Sequence, residues 1–305
     1  MGIHHDKGER PEQVPEHAES GLAQTSASVQ FDADYTEEVN GYTVGVKIGE
    51  SGSNNNVVPD DSSNDVVPDD SSNDVVPDES FPLTPCSETA TTCDWKARGA
   101  VSPVVSQGGC GSCWAFAAAA SAEANYYIKH GGNFLDLSEQ QSVDCVTASN
   151  GCGGGHSNYA FDYHKTAGWV SEADYPYSGT QGTCQTASKT ATANPIGHTV
   201  FNYESPDELK RALRQGTTTV YIWASDPVFM QYTSGVVTSD CTSNDINHAV
   251  TAVGYGVDAG TNTPYFLLKN SWGSNWGANG YIKVGQAPGN GVCGVTYWNP
   301  FRAEF

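Results

Sequence analysis

The chain has 305 residues, a formal net charge of −21 and nine cysteines, enough length for one large domain or two smaller ones around a substantial core. Most of the acidity is N-terminal: residues 1–80 carry 18 acidic and 3 basic side chains, a net of −15, against −6 for residues 81–305. Such a balance repels phosphate backbones and argues against nucleic-acid binding, and no apolar run approaches the roughly 18 residues needed to cross a bilayer.

The opening "MGIHHDKGER" is hydrophilic, without the apolar core of a signal peptide, and Asp6 breaks the myristoylation pattern. The cysteines point the other way. An odd set of nine suggests four disulfides and one free thiol, which implies an oxidising compartment. The expectation is therefore a secretory-pathway chain whose signal lies outside this sequence. Residues 57–79 read "VVPDDSSND VVPDDSSND VVPDE", a nine-residue repeat starting at Val57, Val66 and Val75. Its Asp, Ser, Asn and Pro cannot bury enough apolar area to offset ordering entropy, so 57–80 is expected to be a disordered acidic linker, with weak calcium capture the alternative. From about Phe81 the composition becomes globular.

Cys113 opens "CWAFAAAASAEANYYIKHGG", a strong helix former with Ser112 as N-cap and Gly131 just past its end. "SEQQ" at 138–141 is a capping box that starts a second helix, and 157–168 reads as a third. "TTTVYIWA" (217–224), "HAVTAVGYG" (248–256), "PYFLLKN" (264–270) and "GYIKV" (280–284) read as strands. One helix interrupts them, from Ser205-Pro206-Asp207-Glu208 to Gly216. The fold class expected is α+β: a helical lobe of about 97–197, a strand lobe of about 198–296, and a cleft between them.

"QGGCGSCWAF" (107–116) holds the chemistry. As a redox pair, Cys110 and Cys113 would need a preceding βαβ unit, which 81–106 does not supply. As half of a zinc site they would need a second pair at like spacing, but Cys145 and Cys152 are seven apart. The remaining reading bonds Cys110 elsewhere and leaves Cys113 free at a helix start. An unperturbed thiol is only ~3% ionised at pH 7, and ionisation at mildly acidic pH needs roughly 4–5 kcal/mol. A helix N-terminus supplies about 0.3–2 kcal/mol, so a cationic partner is required, and an imidazolium is the sensible one. Of eight histidines, His248 opens an apolar strand, and Asn270 ends the next one with tryptophans close behind. An amide there can orient the ring, and an indole can shield the contact.

Here the sequence resembles the papain-like cysteine peptidases of the papain and cathepsin L type. "DWKARGAVSPVVSQGGCGSCWAF", "SEQQSVDC", "GCGGG", "YPYSG", "NHAVTAVGYG", "KNSWGSNWGANGYIKV" and "GVCGV" match that family's blocks in order, over about residues 94–298. The resemblance implies the papain-like two-lobed fold, with a helical lobe and an antiparallel β-barrel-like lobe flanking the active-site cleft. It implies a cysteine endopeptidase working through a thiolate–imidazolium pair and an acyl-enzyme, without metal or cofactor. Cys113 would be the nucleophile, His248 its partner and general acid/base, and Asn270 the residue that orients the ring. Trp272 would cover that contact, and Gln107 with the Cys113 N–H would form the oxyanion hole. Implied disulfides are Cys110–Cys152, Cys145–Cys184 and Cys241–Cys293, with Cys86–Cys93 left by elimination.

Gly154 and Gly155 fall where the family's backbone pairs with extended substrate. His156, Ser157, Tyr221, Ile246 and Trp298 fall in its main specificity pocket, and Trp276 flanks the primed side. Tyr221 and Trp298 should narrow that pocket, so a small or modest apolar P2 residue is expected. Between Cys152 and Cys184 there is no insertion like the histidine-bearing loop of dipeptidase relatives, which favours endopeptidase action. Residues 1–56 depart from the family: "FDADYTEEV" (31–39) is weakly similar to the late propeptide, the helical part is absent, and an atypical or truncated leader is expected. The peptidase domain is expected at 81–305. Partners implied are protein or peptide substrates and cystatin-type inhibitors, acting on a monomer without membrane or nucleic acid. The compartment implied is the secretory pathway, ending in a lysosome or vacuole or outside the cell. The competing class is a non-catalytic papain-fold binding or storage protein.

Overall fold

The computed structural model describes residues 36–39, 42–45, 81–239, 241 and 244–305. The linker expected at 57–80, and most of the leader expected at 1–56, lie outside these residues. Within the leader, β1 (Thr36–Val39) and β2 (Tyr42–Gly45) pair antiparallel.

The alanine-rich segment forms α1 (Cys113–His130), and 13 of its 18 residues are buried. Such a helix lies inside the molecule, not on its surface, and small side chains let neighbouring backbones approach. Gly131, at φ 66°, ends it by donating its N–H to the Tyr127 carbonyl, with Lys129 and His130 in the last turn where the dipole favours them. Ser112 departs from the expected N-cap: its hydroxyl makes no cap bond and lies 2.6 Å from the Tyr177 hydroxyl. Helix α2 (Glu139–Cys145) forms half of the expected capping box. Ser138 Oγ accepts the Gln141 N–H at 3.0 Å, but the Gln141 side chain does not reach back. It is buried, and its amide instead satisfies Val170 N–H and Gly168 C=O in the adjacent loop. The third helix is α3 (Ser157–Ala167).

The second half forms an antiparallel sheet. Its strands are β4 (Gly197–Val200), β5 (Thr218–Ile222), β6 (His248–Asp258), β7 (Thr263–Lys269), β8 (Tyr281–Gly285) and β9 (Phe301–Glu304). They lie in the order β4-β9-β5-β6-β7-β8, and a short β3 (Cys93–Asp94) pairs with β6. Helix α4 (Pro206–Gln215), capped by Ser205 as its sequence suggests, precedes β5, and a single turn, α5 (Pro227–Met230), follows it. Sequence reasoning missed β3, β4 and β9. At two to four residues they are too short for a pattern to be read, and they exist because partners pair with them. β9 also carries the sheet past residue 296.

Strands β5 and β6 are buried on both faces. Val220, Ile222, Val250 and Ala252 face the barrel core, while Tyr221 and Ala249 pack with Trp114 and the α1 alanines. This is why "HAVTAV" reads as nearly continuous apolar sequence. Gly254 is required where β3 crosses: a Cβ there would lie 2.4 Å from the Cys93 carbonyl oxygen.

The register between α1 and β6 decides where their first residues stand. Thr251 Oγ1 donates to the Ala117 carbonyl at 3.1 Å, and the Ala249 N–H is directed at the Cys113 sulfur. Four helical residues rise about 6 Å and two strand residues about 6.6 Å, so helix and strand run alongside in the same direction. Cys113 and His248 therefore begin at one level.

His164, without a distinctive setting in the sequence, is fully buried and stacked 3.7 Å from Trp169. Its Nδ1–H donates to Gly168 C=O and its Nε2 accepts from Ser142 Oγ. Burial pushes its pKa down to about 3. A folded pKa below the unfolded value of about 6.5 means that the unfolded chain binds the proton first, so stability present above pH ~6.5 is lost as pH falls toward 3. We predict that His164→Phe lowers Tm at pH 7 yet flattens the fall in Tm between pH 6.5 and 4, measured by calorimetry.

Candidate active site

Gln107, Cys113, His248, Asn270 and Trp272 come from a loop, a helix start, a strand start and the turn after β7. Three bonds hold the Gln107 loop to that turn: the Gln107 N–H donates to Ser271 C=O at 2.9 Å, Ser271 Oγ donates to Gln107 Oε1 at 2.6 Å, and the Gly273 N–H donates to Val105 C=O at 3.1 Å. The Gln107 amide nitrogen lies 2.9 Å from the Cys110 carbonyl oxygen. Sequence reasoning missed Ser271, although it stands beside Asn270 in the quoted "KNSW".

His248 Nε2 lies 2.8 Å from Asn270 Oδ1, and the same oxygen accepts the Ser271 N–H at 2.8 Å. A backbone N–H can only donate, which fixes the amide's orientation; the ring nitrogen facing that oxygen must then carry the proton. Nδ1 of the neutral ring is left as the proton acceptor, and it is buried without a hydrogen-bond partner among the described residues. Trp272, 1% exposed, lies over the imidazole with ring centroids 4.9 Å apart, and Phe229 packs edge-on beneath it at 5.5 Å.

Cys113 is the single free cysteine. The other eight form Cys86–Cys93, Cys110–Cys152, Cys145–Cys184 and Cys241–Cys293. Burial pushes the Cys113 thiol up to about 11, opposed by the backbone N–H groups of Ala249, Trp114 and Cys113 itself. Burial likewise pushes His248 down to about 4, opposed by its bond to Asn270. Neither charge is favoured alone. A thiolate here draws on those three donors and needs a positive charge formed at the same time.

The remaining candidates divide. Gly154 has φ 105°, and a Cβ on Gly155 would lie 2.4 Å from Ser149 Oγ and 2.9 Å from the Trp114 ring. His156, Tyr221 and Trp298 come together, with ring centroids 5.8 and 6.0 Å from His156. Tyr221 is 2% exposed and its hydroxyl accepts the Ser157 N–H at 2.8 Å; Ser157 Oγ donates to Trp114 C=O, facing the core. Ile246 is buried in the same cluster. Trp276 stands apart: it is buried against Phe229, and its indole N–H donates to Met230 C=O, so it offers little face to a cleft. Among the described residues no three His, Cys, Asp or Glu side chains gather as metal ligands, and no helix is long and apolar enough to cross a membrane.

The profile of the papain family cysteine proteases matches residues 89–299. The chain belongs to the papain family. Among curated relatives it is 41% identical to "Cysteine proteinase EP-B 1" of Hordeum vulgare, over 69% of this chain and 58% of that one. It is 39% identical to "Procathepsin L" of Rattus norvegicus, over 67% of this chain and 63% of that one. The chain thus spans about three-fifths of the length of these relatives. Among solved structures, the bromelain protease of Ananas comosus in complex with the E64 inhibitor superposes with a TM-score of 0.67 at 36% identity, covering 71% of this chain and 100% of that one. The α+β papain fold is common to both.

One measurement checks the thiol count. Iodoacetamide added to the native, unreduced protein is expected to leave one carbamidomethyl group per chain, on Cys113, and none on Cys113→Ala, as read by peptide mass spectrometry.

Proposed function

We propose that this papain-family chain is a cysteine endopeptidase. One observation carries the proposal: a single free thiol at the start of α1 stands level with a buried histidine whose Nε2–H is committed to Asn270 and whose Nδ1 is unpartnered. The Cys113 proton passes to His248 Nδ1, and the sulfur attacks the scissile carbonyl. The resulting oxyanion accepts hydrogen bonds from the second Gln107 amide N–H and from the Cys113 N–H, freed once the sulfur is bonded to carbon, donors of a kind worth about 3–4 kcal/mol each in a preorganised site. His248 then gives its proton to the departing amine, leaving an acyl-enzyme. Water attacks that thioester with His248 as base, releasing the carboxylic acid and restoring the thiol. Asn270 keeps the ring in the tautomer that this traffic needs, and Trp272 keeps water from the amide contact.

Extended substrate would pair with the main chain at Gly155, close beneath it because no side chain intervenes. Tyr221, propped by Ser157, fills the base of the P2 pocket, and His156 and Trp298 narrow its walls, which supports a small or modest apolar P2 residue. Proteins and peptides are the substrates of this reading, cystatin-type inhibitors its regulators and the monomer its working form. Four disulfides suit the secretory pathway, with a lysosome, vacuole or the cell exterior as destination. The domain boundaries that go with it are a peptidase domain at 81–305, preceded by the leader and the acidic linker.

Cys113→Ala should abolish peptide hydrolysis, and persistent cleavage by that variant would overturn the proposal. With the imidazole down at about 4 and the thiol up at about 11, the acid limb of kcat/KM should lie near pH 4. Below it the pair holds two protons and no thiolate can form. On a P2 panel, turnover should be at least about tenfold higher for Ala or Val than for Phe, and Tyr221→Val should narrow that gap. Highest wild-type turnover on Phe would refute the crowded pocket.

A further inference from the structure

Ser112 is buried at the N-cap position of α1 and yet caps nothing. Its hydroxyl lies 2.6 Å from the Tyr177 hydroxyl, which donates to the Gln107 carbonyl at 2.8 Å. The direction of the chain is settled by its end. A carbonyl only accepts, so the single Tyr177 proton goes to Gln107, and Ser112 must donate to Tyr177. The weaker alternative for Ser112, Cys110 C=O at 3.5 Å, loses to the shorter bond. Tyr177 is held in turn from both sides. Its N–H donates to Glu172 Oε1 at 2.6 Å, and its ring packs edge-on against Phe116, ring centroids 4.8 Å apart.

A serine at an N-cap ordinarily accepts from the N–H two or three residues on, here Trp114 or Ala115. Here the Ser112 hydroxyl is engaged instead by Tyr177, so that one phenol ties residue 107 to the residue before Cys113. We propose that Tyr177 is a positioning residue for the oxyanion site: its hydroxyl joins the Gln107 carbonyl to Ser112, the residue before Cys113, and so keeps the Gln107 amide and the Cys113 N–H aimed at one point. The proposal rests on the peptidase reading above and deepens it, assigning Tyr177 to the donor side of the reaction and leaving the sulfur side untouched.

The test separates those sides. Alkylation of Cys113 by iodoacetamide uses the thiolate but forms no oxyanion, whereas peptide hydrolysis uses both. In Tyr177→Phe, kcat should fall about tenfold or more with KM changed less than about twofold, while the alkylation rate of Cys113 stays within about twofold of wild type. An unchanged kcat overturns the proposal, even if Tm falls, because Tyr177 would then be structural only. A kcat and an alkylation rate that fall together also overturn it, since the effect would then be on the sulfur. Should Tyr177→Phe fail to fold, Ser112→Ala cuts the same chain of bonds at its other end and should show the same split; its absence there is equally decisive. A wild-type chain that alkylates at Cys113 but cleaves no peptide would sink the peptidase reading itself, and that result is visible before any variant is made.

Discussion

The register between α1 and β6 is the constraint on which the site depends. A helix advances 1.5 Å per residue and a strand about 3.3 Å, so the two stay in step only when four helical residues match two in the strand. The Thr251 to Ala117 bond and the approach of Ala249 to Cys113 meet that condition. Alanine makes it sterically possible, since larger side chains on α1 would hold the doubly buried strand away. The consequence is that a sulfur and an imidazole 135 residues apart start their elements at a common level. A slip of one residue in β6 would send every side chain to the opposite face and take His248 out of the cleft.

Around that pair the protein works against charge and for orientation. Burial opposes the thiolate and the imidazolium separately, and what favours them is local: three backbone N–H groups at the sulfur and one amide oxygen at Nε2. Each orienting group is itself held. Ser271 N–H fixes the Asn270 amide, Ser271 Oγ fixes Gln107, and the Cys110–Cys152 bond ties the loop before α1 to the glycine turn that follows α2. Trp272 and Phe229 cover the histidine side with aromatic rings. A charge pair that forms transiently in low dielectric gains from neighbours that need not reorganise.

Much of this was legible in the sequence, for physical reasons that differ by element. The α1 helix could be read because alanine propensity and Gly131 act locally. The long strands could be read because β-branched and aromatic residues crowd between turn formers. Ser112 and Gln141 misled, because both are buried and a buried polar side chain follows whichever partner lies nearest in space, not the neighbour in sequence. Strands β3, β4 and β9 gave no local signal, since two to four residues acquire strand form only when another strand pairs with them. Trp276 sits in a block that aligns with the family, but its indole is consumed by packing and by Met230.

The amino-acid sequence by itself determined the helix carrying Cys113, the parity that leaves one thiol free and the family blocks in their order. Those properties follow from propensity, counting and side-chain type, none of which needs a neighbour from another element. Only the tertiary structure decided that Tyr221 props itself on Ser157, that Ser271 serves both Asn270 and Gln107, and that Ser112 is held by Tyr177 and not by its own helix. Hydrogen bonds are short-ranged and directional, so the partner of a buried polar group is settled by which elements pack together, and packing is a property of the folded chain as a whole.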